Sequence, residues 1–159
     1  MPTLDDVYRK YGEASEAAQL LETDLGTLLV NHECIDAGLL EDPNPDRATA
    51  IYRRITQRTL GRLIGALGSI TDSGTDLDAT LRIALASRNR LTHNFFLQHN
   101  FRRNSDQGRR VMLRDLEAIH DDLLAALKAV SLLSGIDLER LAAEHEDSGL
   151  PTGHLPIPT

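Results

Sequence analysis

The chain has 159 residues, a typical length for one globular domain with a buried core. Its composition, with 41% hydrophobic and 26% charged residues, is that of an ordinary globular protein. No apolar run approaches the roughly 18 to 20 residues of a membrane-spanning helix, and the first residues lack the basic and apolar stretches of a secretory signal. We therefore expect a soluble, cytoplasmic protein that does not enter a membrane.

Cysteine and metal-ligand patterns give no sign of a metal or cofactor. Cys34 is the only cysteine, so it can form no intramolecular disulfide, and we expect it to fill apolar space. A ferritin-like metal site needs Glu-x-x-His on two helices, whereas the chain has this pattern once, at Glu117 to His120. No glycine-rich phosphate loop or zinc pattern is present. We expect neither a metal nor a cofactor.

The formal net charge of −7 hides a strong asymmetry. Between Arg82 and Arg114 there are eight arginines and one acid, Asp106, so this stretch carries +7 and the rest of the chain −14. Arginine outnumbers lysine fifteen to two, and the guanidinium group matches phosphate or carboxylate oxygens bidentately. The arginines therefore either pair with the acidic helices or form a phosphate-binding surface.

Apolar residues at alternating steps of three and four predict four long helices. The first carries Val7, Tyr11, Ala14, Ala18, Leu21, Leu25 and Leu28, with His32 next on its inward stripe. The second begins around Asn44-Pro45, where an acceptor side chain precedes a proline, and its stripe runs from Ala48 to Ile70. Gly61, Gly65 and Gly68 lie in it, and we expect close helix approach there rather than a break.

The third helix begins after residues 71–75, capped by Asp76 or Thr75, and ends at about Gln98. Ser105 caps the fourth helix, whose stripe runs from Met112 to Leu133. Asp137 caps a short fifth helix that ends at about Glu144. Long helices joined by short loops predict an all-α fold, an up-down antiparallel four-helix bundle with a short extra C-terminal helix. Residues 1–145 form this domain, and residues 146–159 form an extended, proline-rich tail.

Arg88 interrupts the otherwise apolar stripe of the third helix, Leu77, Leu81, Ala84, Arg88, Leu91 and Phe95. Burying a guanidinium group costs several kcal/mol unless it is paired and hydrogen-bonded. Such an arginine therefore either forms a salt bridge or lines a cleft. Glu22 and Asp24, on the first helix, are the candidate partners.

The residues around Arg88 resemble a known motif. Arg88-Asn89-Arg90-Leu91-Thr92-His93 is similar to the Arg-x-x-x-x-His motif of the HEPN superfamily, including the polar residue after the arginine. The flanking Ala86-Ser87 and Asn94-Phe95-Phe96 look like bacterial members, and the motif lies on the third long helix, as in that family. The resemblance covers roughly residues 5 to 135. It implies metal-independent RNA cleavage or, in degenerate members, nucleotide or RNA binding without chemistry.

The three motif residues suit cleavage by the ribose 2′-hydroxyl. His93 would move a proton near neutral pH, and Arg88 would stabilise the charge of a phosphorane-like transition state. Asn89 lies four residues before His93 and would orient its ring or hold a phosphate oxygen. On a regular helix, residues five apart point about 140° apart. We therefore expect two copies to supply Arg88 and His93 jointly, which agrees with the family's dimer cleft.

Further residues near the motif are candidates for RNA binding. These are Arg90, His99, Arg102 and Arg103, with His99 and Phe101 placed to stack on a nucleotide. The resemblance thus implies a homodimeric endoribonuclease, related to toxin or defence systems, with a neighbouring-gene antitoxin or nucleotidyltransferase as a further partner. The alternative is a non-catalytic module that binds RNA, a nucleotide or a protein, in which Arg88 and His93 are structural.

Overall fold

The computed structural model describes residues 1–71 and 74–140, and the segment 141–159, including the expected tail, lies outside the described residues. Every regular element within these ranges is helical, which confirms the all-α fold. The elements are α1 (Leu4–Asp36), α2 (Pro45–Thr56), α3 (Leu60–Ile70), α4 (Thr75–Asn89), a π turn (Arg90–Asn94), α5 (Phe95–Gln98), a 3-10 turn (Arg102–Asn104) and α6 (Asp106–Leu133). None of the described helices is long and apolar enough to cross a membrane.

Side-chain caps begin three of the helices. Thr3 and Asp6 form a reciprocal capping box on α1, and Asn44 accepts from the Arg47 amide with Pro45 in the first turn of α2. Ser105 accepts from the Gly108 amide at the start of α6. The starts expected at Asn44-Pro45 and at Ser105 are therefore confirmed.

Two other expected caps have different outcomes. At α4, Gly74 occupies the cap position without a side-chain bond, so the cap expected at Asp76 or Thr75 is wrong. Asp137 accepts hydrogen bonds from the amides of Glu139 and Arg140, as a helix cap would. The end of the fifth helix, expected at about Glu144, lies outside the described residues.

The predicted second helix is two helices, which is a correction to the expected four-helix arrangement. The chain breaks between Thr56 and Leu60, and the backbone of Thr59 is extended. The break lets Ile55 and Leu60 both reach full burial, although residues five apart point about 140° apart on a straight helix. Gly61 lies in ordinary contact distance of Leu85, 3.6 Å from an added Cβ.

The close helix approach expected at the glycines of this segment is wrong at Gly65 and Gly68. A Cβ added at Gly65 or Gly68 would meet nothing within 4 Å. These glycines therefore neither break the chain nor bring another helix nearer.

The break reverses the chain once more than the up-down pattern allows. Contacts pair Pro2 with Arg109, Lys10 with His120 and Asp24 with Ser131, so α1 and α6 lie side by side in the same direction. The predicted up-down antiparallel four-helix order, in which the first and last helices oppose each other, is therefore wrong.

Helix α4 runs opposite to both of its long neighbours. Glu22 contacts Arg88 whereas Tyr8 contacts Phe96, so α4 and its extension are antiparallel to α1. Ser87 contacts Asp122 whereas His99 contacts Asp115, which sets α6 antiparallel to α4. The motif helix consequently lies against both α1 and α6.

The three long helices share one apolar core. Its fully buried large side chains include Leu21 and Leu25 of α1, Phe95 of α5, and Leu116 and Leu123 of α6. Each such side chain contributes roughly 1.5–3 kcal/mol by leaving water. The core thereby fixes the helix that carries Arg88 and His93 along most of its length.

Candidate functional site around Arg88 and His93

The motif spans the end of α4 and the π turn that follows. The helix continues from Thr75 to Gln98 through this turn, so its expected end is confirmed. A π turn contains more residues than an α-helical turn and is frequent at functional sites. The Tyr11 hydroxyl donates to the Leu91 carbonyl inside it, at 3.4 Å. Because a π turn rotates less per residue, the angle about the helix axis between Arg88 and His93 is smaller than the roughly 140° of a regular helix. The angle alone therefore no longer requires two copies.

Arg88 is held against α1 by an ion pair. Its Nη2 lies 2.7 Å from Oε1 of Glu22, and the two side chains are 24% and 30% exposed. Glu22 was one of the two expected partners, whereas Asp24 instead accepts from Ser131. The Glu22 Oε1 atom is buried and receives no aligned hydrogen bond, so the contact is ionic rather than a well-directed hydrogen bond.

Asn89 is linked to the arginine rather than to the histidine. Its Oδ1 accepts from Nη1 of Arg88 at 3.3 Å. His93 is exposed, and its side chain has no hydrogen bond or ion pair among the described residues. One chain thus links Arg88 to Asn89 and leaves the exposed His93 side chain available to a ligand or to a second copy.

His99 is buried and belongs to an internal network. The residue is only 3% exposed, and its Nε2 lies 2.7 Å from Oδ2 of Asp115. Arg102 Nη1 lies 3.0 Å from Nδ1, and a guanidinium group can only donate, so Nδ1 accepts and Nε2 carries the hydrogen. Arg90 forms an ion pair with the other carboxylate oxygen of Asp115.

This network corrects the expected stacking role of His99, whereas the RNA-binding roles of Arg90 and Arg102 stay predictions. Phe95 packs on the His99 ring at 4.6 Å between centroids, so no ring face remains for stacking on a nucleotide. Arg90 and Arg102 also make contacts inside the chain. Through Asp115 and His99 these contacts hold the π turn and the 3-10 turn against α6.

Of the eight arginines between positions 82 and 114, half are engaged and half are not. Arg88, Arg90 and Arg109 have carboxylate partners, and Arg102 contacts His99. The remaining four are exposed and take part in no ion pair of the described residues: Arg82, Arg103, Arg110 and Arg114. Pairing with acidic side chains therefore accounts for part of this positive stretch, and four of its arginines are left exposed without an ion pair among the described residues.

Two surface cavities flank this region. One, of about 240 Å³, is lined by Tyr8, Phe96, His99, Asn100, Arg103 and Met112. The other, of about 340 Å³, lies along α1 between Gln19 and Thr27 and is lined on its far side by α2, Arg58 and Leu63. Neither is lined by Arg88 or His93. No group of three histidine, cysteine, aspartate or glutamate side chains in the described ranges could hold a metal ion.

Comparison of the chain with models of known protein families, with curated proteins and with solved structures finds no match. The motif and the contacts of its residues are therefore the observations that bear on function.

Sequence reasoning missed three features of the site. They are the π turn, the acceptor role of Asp115 and the 240 Å³ cavity lined by Tyr8 and Phe96. The spacing of Leu91, Phe95 and His99 in steps of four is that of a regular helix, so it gave no signal of the wider turn. Asp115 follows Arg114 on the polar side of α6, where a carboxylate usually faces solvent.

Proposed function

We propose that the protein is a metal-independent endoribonuclease of the HEPN kind, acting as a homodimer. The observation that carries the proposal is the contrast between two residues of the motif. His93 is an exposed, uncommitted imidazole on a π turn, whereas Arg88, five residues earlier, is an oriented cation held by Glu22. An acid–base group must reach the substrate, and an electrostatic group must be held in place before the reaction.

The reaction requires one displacement at phosphorus, and proton transfers at the attacking oxygen, the leaving oxygen and the imidazole. His93 accepts the proton of the 2′-hydroxyl while that oxygen attacks the neighbouring phosphorus, and the bond from phosphorus to the 5′-oxygen breaks. The 5′-oxygen takes a proton from water, and the imidazolium returns its proton to solvent. The products are a 2′,3′-cyclic phosphate and a 5′-hydroxyl end. Arg88 stabilises the charge on the phosphoryl oxygens, which is greatest in the transition state.

A second copy would add a second motif to the same cleft. Large apolar side chains near the motif are exposed in the single chain: Ile83 by 53%, Leu97 by 74% and Phe101 by 81%. A dimer that covers them would bring two motifs and two sets of unpaired arginines together. A neighbouring-gene antitoxin or nucleotidyltransferase partner, and the cytoplasmic location, stay predictions.

A non-catalytic module is the second candidate. The ion pair with Glu22 favours it, because this carboxylate neutralises the charge that Arg88 would offer to a phosphate. In this alternative the motif stabilises the bundle, and RNA, a nucleotide or a protein binds without being cleaved.

The experiment is cleavage of mixed-sequence single-stranded RNA by purified protein in the presence of excess chelator. We expect cyclic-phosphate ends, and a rate that falls by about 10² to 10⁴ in His93→Ala. His32→Ala is the matched control, since His32 is also partly exposed but lies on α1, paired with Asp36. Cleavage that stops with chelator, or a His93→Ala protein that cuts normally, would refute the mechanism. RNA binding without cleavage would favour the non-catalytic module.

A further inference from the structure

The 240 Å³ cavity lies beside the motif and has no role in the chemistry proposed above. Phe96, on its wall, follows His93 by three residues in the same continuous helix, roughly 4.5 Å further along the axis. Tyr8 of α1 faces it, and the floor is the buried Met112 of α6. The cavity therefore opens within one helical turn of the exposed histidine.

The cavity walls present two aromatic rings to solvent. Tyr8 is 48% and Phe96 40% exposed, and their centroids lie 6.2 Å apart with planes inclined by 52°. Such tilted rings are too close to hold a third ring between them, so a planar ligand can stack only on the solvent-exposed side of one of them. Phe96 is fixed from behind by Tyr11 at 5.0 Å and by the edge contact with Phe95 at 5.2 Å. The stacking surface is consequently formed before any ligand binds.

The polar part of the cavity consists of a cation and an amide. Arg103 is exposed and has no ion pair among the described residues, while its own carbonyl accepts from Arg109 Nη1 at 2.8 Å. Arg109 also donates to the Pro2 carbonyl at 2.7 Å, which ties the 3-10 turn to the start of α1. The Asn100 amide can both donate to and accept from a ring edge. No carboxylate belongs to the lining residues.

We propose that this cavity, the Tyr8–Phe96 cavity, is a nucleobase subsite of the RNA-binding surface. One base stacks on the Phe96 or Tyr8 ring, the Asn100 amide hydrogen-bonds its edge, and Arg103 binds its phosphate. This combination of an aromatic face, an amide and an unpaired arginine matches a nucleotide better than a sugar phosphate, which needs no aromatic face, or an apolar ligand, which needs no cation. The subsite rests on the proposed function for its place on an RNA strand.

The test is an NMR titration of the full-length, isotope-labelled chain with adenosine 5′-monophosphate, and separately with ribose 5-phosphate and adenosine. We expect the mononucleotide to shift the amides of residues 96–103 and to bind more tightly than either fragment. Tyr8→Leu should weaken its binding at least about fivefold, since base stacking contributes about 1–3 kcal/mol. Arg103→Gln should weaken binding of the mononucleotide but leave the affinity for adenosine unchanged, because adenosine carries no phosphate. Tyr52→Leu and Arg62→Gln, exposed residues of α2 and α3, are the matched controls.

The outcomes for the subsite and for the nuclease are separable. Mononucleotide shifts elsewhere on the chain, or affinities in both Tyr8→Leu and Phe96→Leu equal to that of wild type, would overturn the subsite. If RNA is never cleaved but the mononucleotide occupies the cavity, the nuclease fails and the subsite stands. If Tyr8→Leu and Phe96→Leu both cleave RNA with unchanged KM, the subsite fails and the nuclease stands. Phe96→Leu, which keeps the packing on Tyr11, repeats the test on the second ring.

Discussion

The ion pair between Arg88 and Glu22 allows the structural and catalytic roles of Arg88 to be measured separately. At 2.7 Å two unit charges attract by about 6 kcal/mol for an effective dielectric constant of about 20, and desolvation offsets much of this. Exposed pairs contribute about 0.2–1 kcal/mol, and removing one member of a buried pair costs about 3–5 kcal/mol. Because both side chains are about one-quarter exposed, Arg88→Ala should lower the free energy of unfolding by about 2 kcal/mol.

The assay is urea unfolding of a double-mutant cycle followed by circular dichroism. Glu22→Gln removes the negative charge, so Arg88→Ala in that background should cost about 1 kcal/mol less than it does alone. RNA cleavage is then measured on all three variants under conditions in which circular dichroism shows each of them folded. Additive free energies, or an Arg88→Ala protein as stable as wild type, would refute the stabilising role of the pair. Cleavage at the wild-type rate by folded Arg88→Ala would show that Arg88 acts through stability alone.

Three further predictions concern the frame of the site. A Cβ at Gly108 would lie 2.0 Å from the Arg102 carbonyl oxygen, so Gly108→Ala should destabilise the fold by about 3 kcal/mol or more in urea unfolding, whereas Gly65→Ala should not. Burial lowers the pKa of His120, so its contribution to stability is complete above about 6.5 and is lost as the pH falls; His120→Gln should flatten this dependence. Sedimentation should show a dimer that Leu97→Asp dissociates, and a wild-type monomer would remove the two-chain cleft.

The long apolar stripes correctly predicted the three long helical segments that pack around the core. Helices α1, the α4 to α5 segment and α6 follow from their periodicity. The cost of burying an unpaired guanidinium group predicted a carboxylate partner for Arg88, either Glu22 or Asp24, and the structure shows Glu22. The break before Leu60 could not be predicted this way, because the stripe from Ile51 to Leu67 continues unchanged through it. Burial of both Ile55 and Leu60, which depends on the neighbouring helices, decides the break.

The contacts around the candidate site were less predictable than its helix. The motif and its helical context propose Arg88, Asn89 and His93, and their roles stay predictions. His99 was misplaced, because its burial depends on Asp115, sixteen residues away on another helix. Tyr8 and Phe96 meet only through the antiparallel packing of α1 and the motif helix, which the up-down order expected from sequence did not describe.

Subunit complementation tests the two-chain endoribonuclease most directly. Arg88→Gln and His93→Ala proteins are mixed, allowed to exchange subunits, and assayed for RNA cleavage in chelator beside each protein alone. Arg88→Gln keeps a hydrogen-bonding partner for Glu22, so loss of the ion pair should not unfold it. If Arg88 of one copy and His93 of the other form one site, the mixture should cleave RNA well above the sum of its components. A mixture that contains mixed dimers but is no more active than its components would contradict the proposed site.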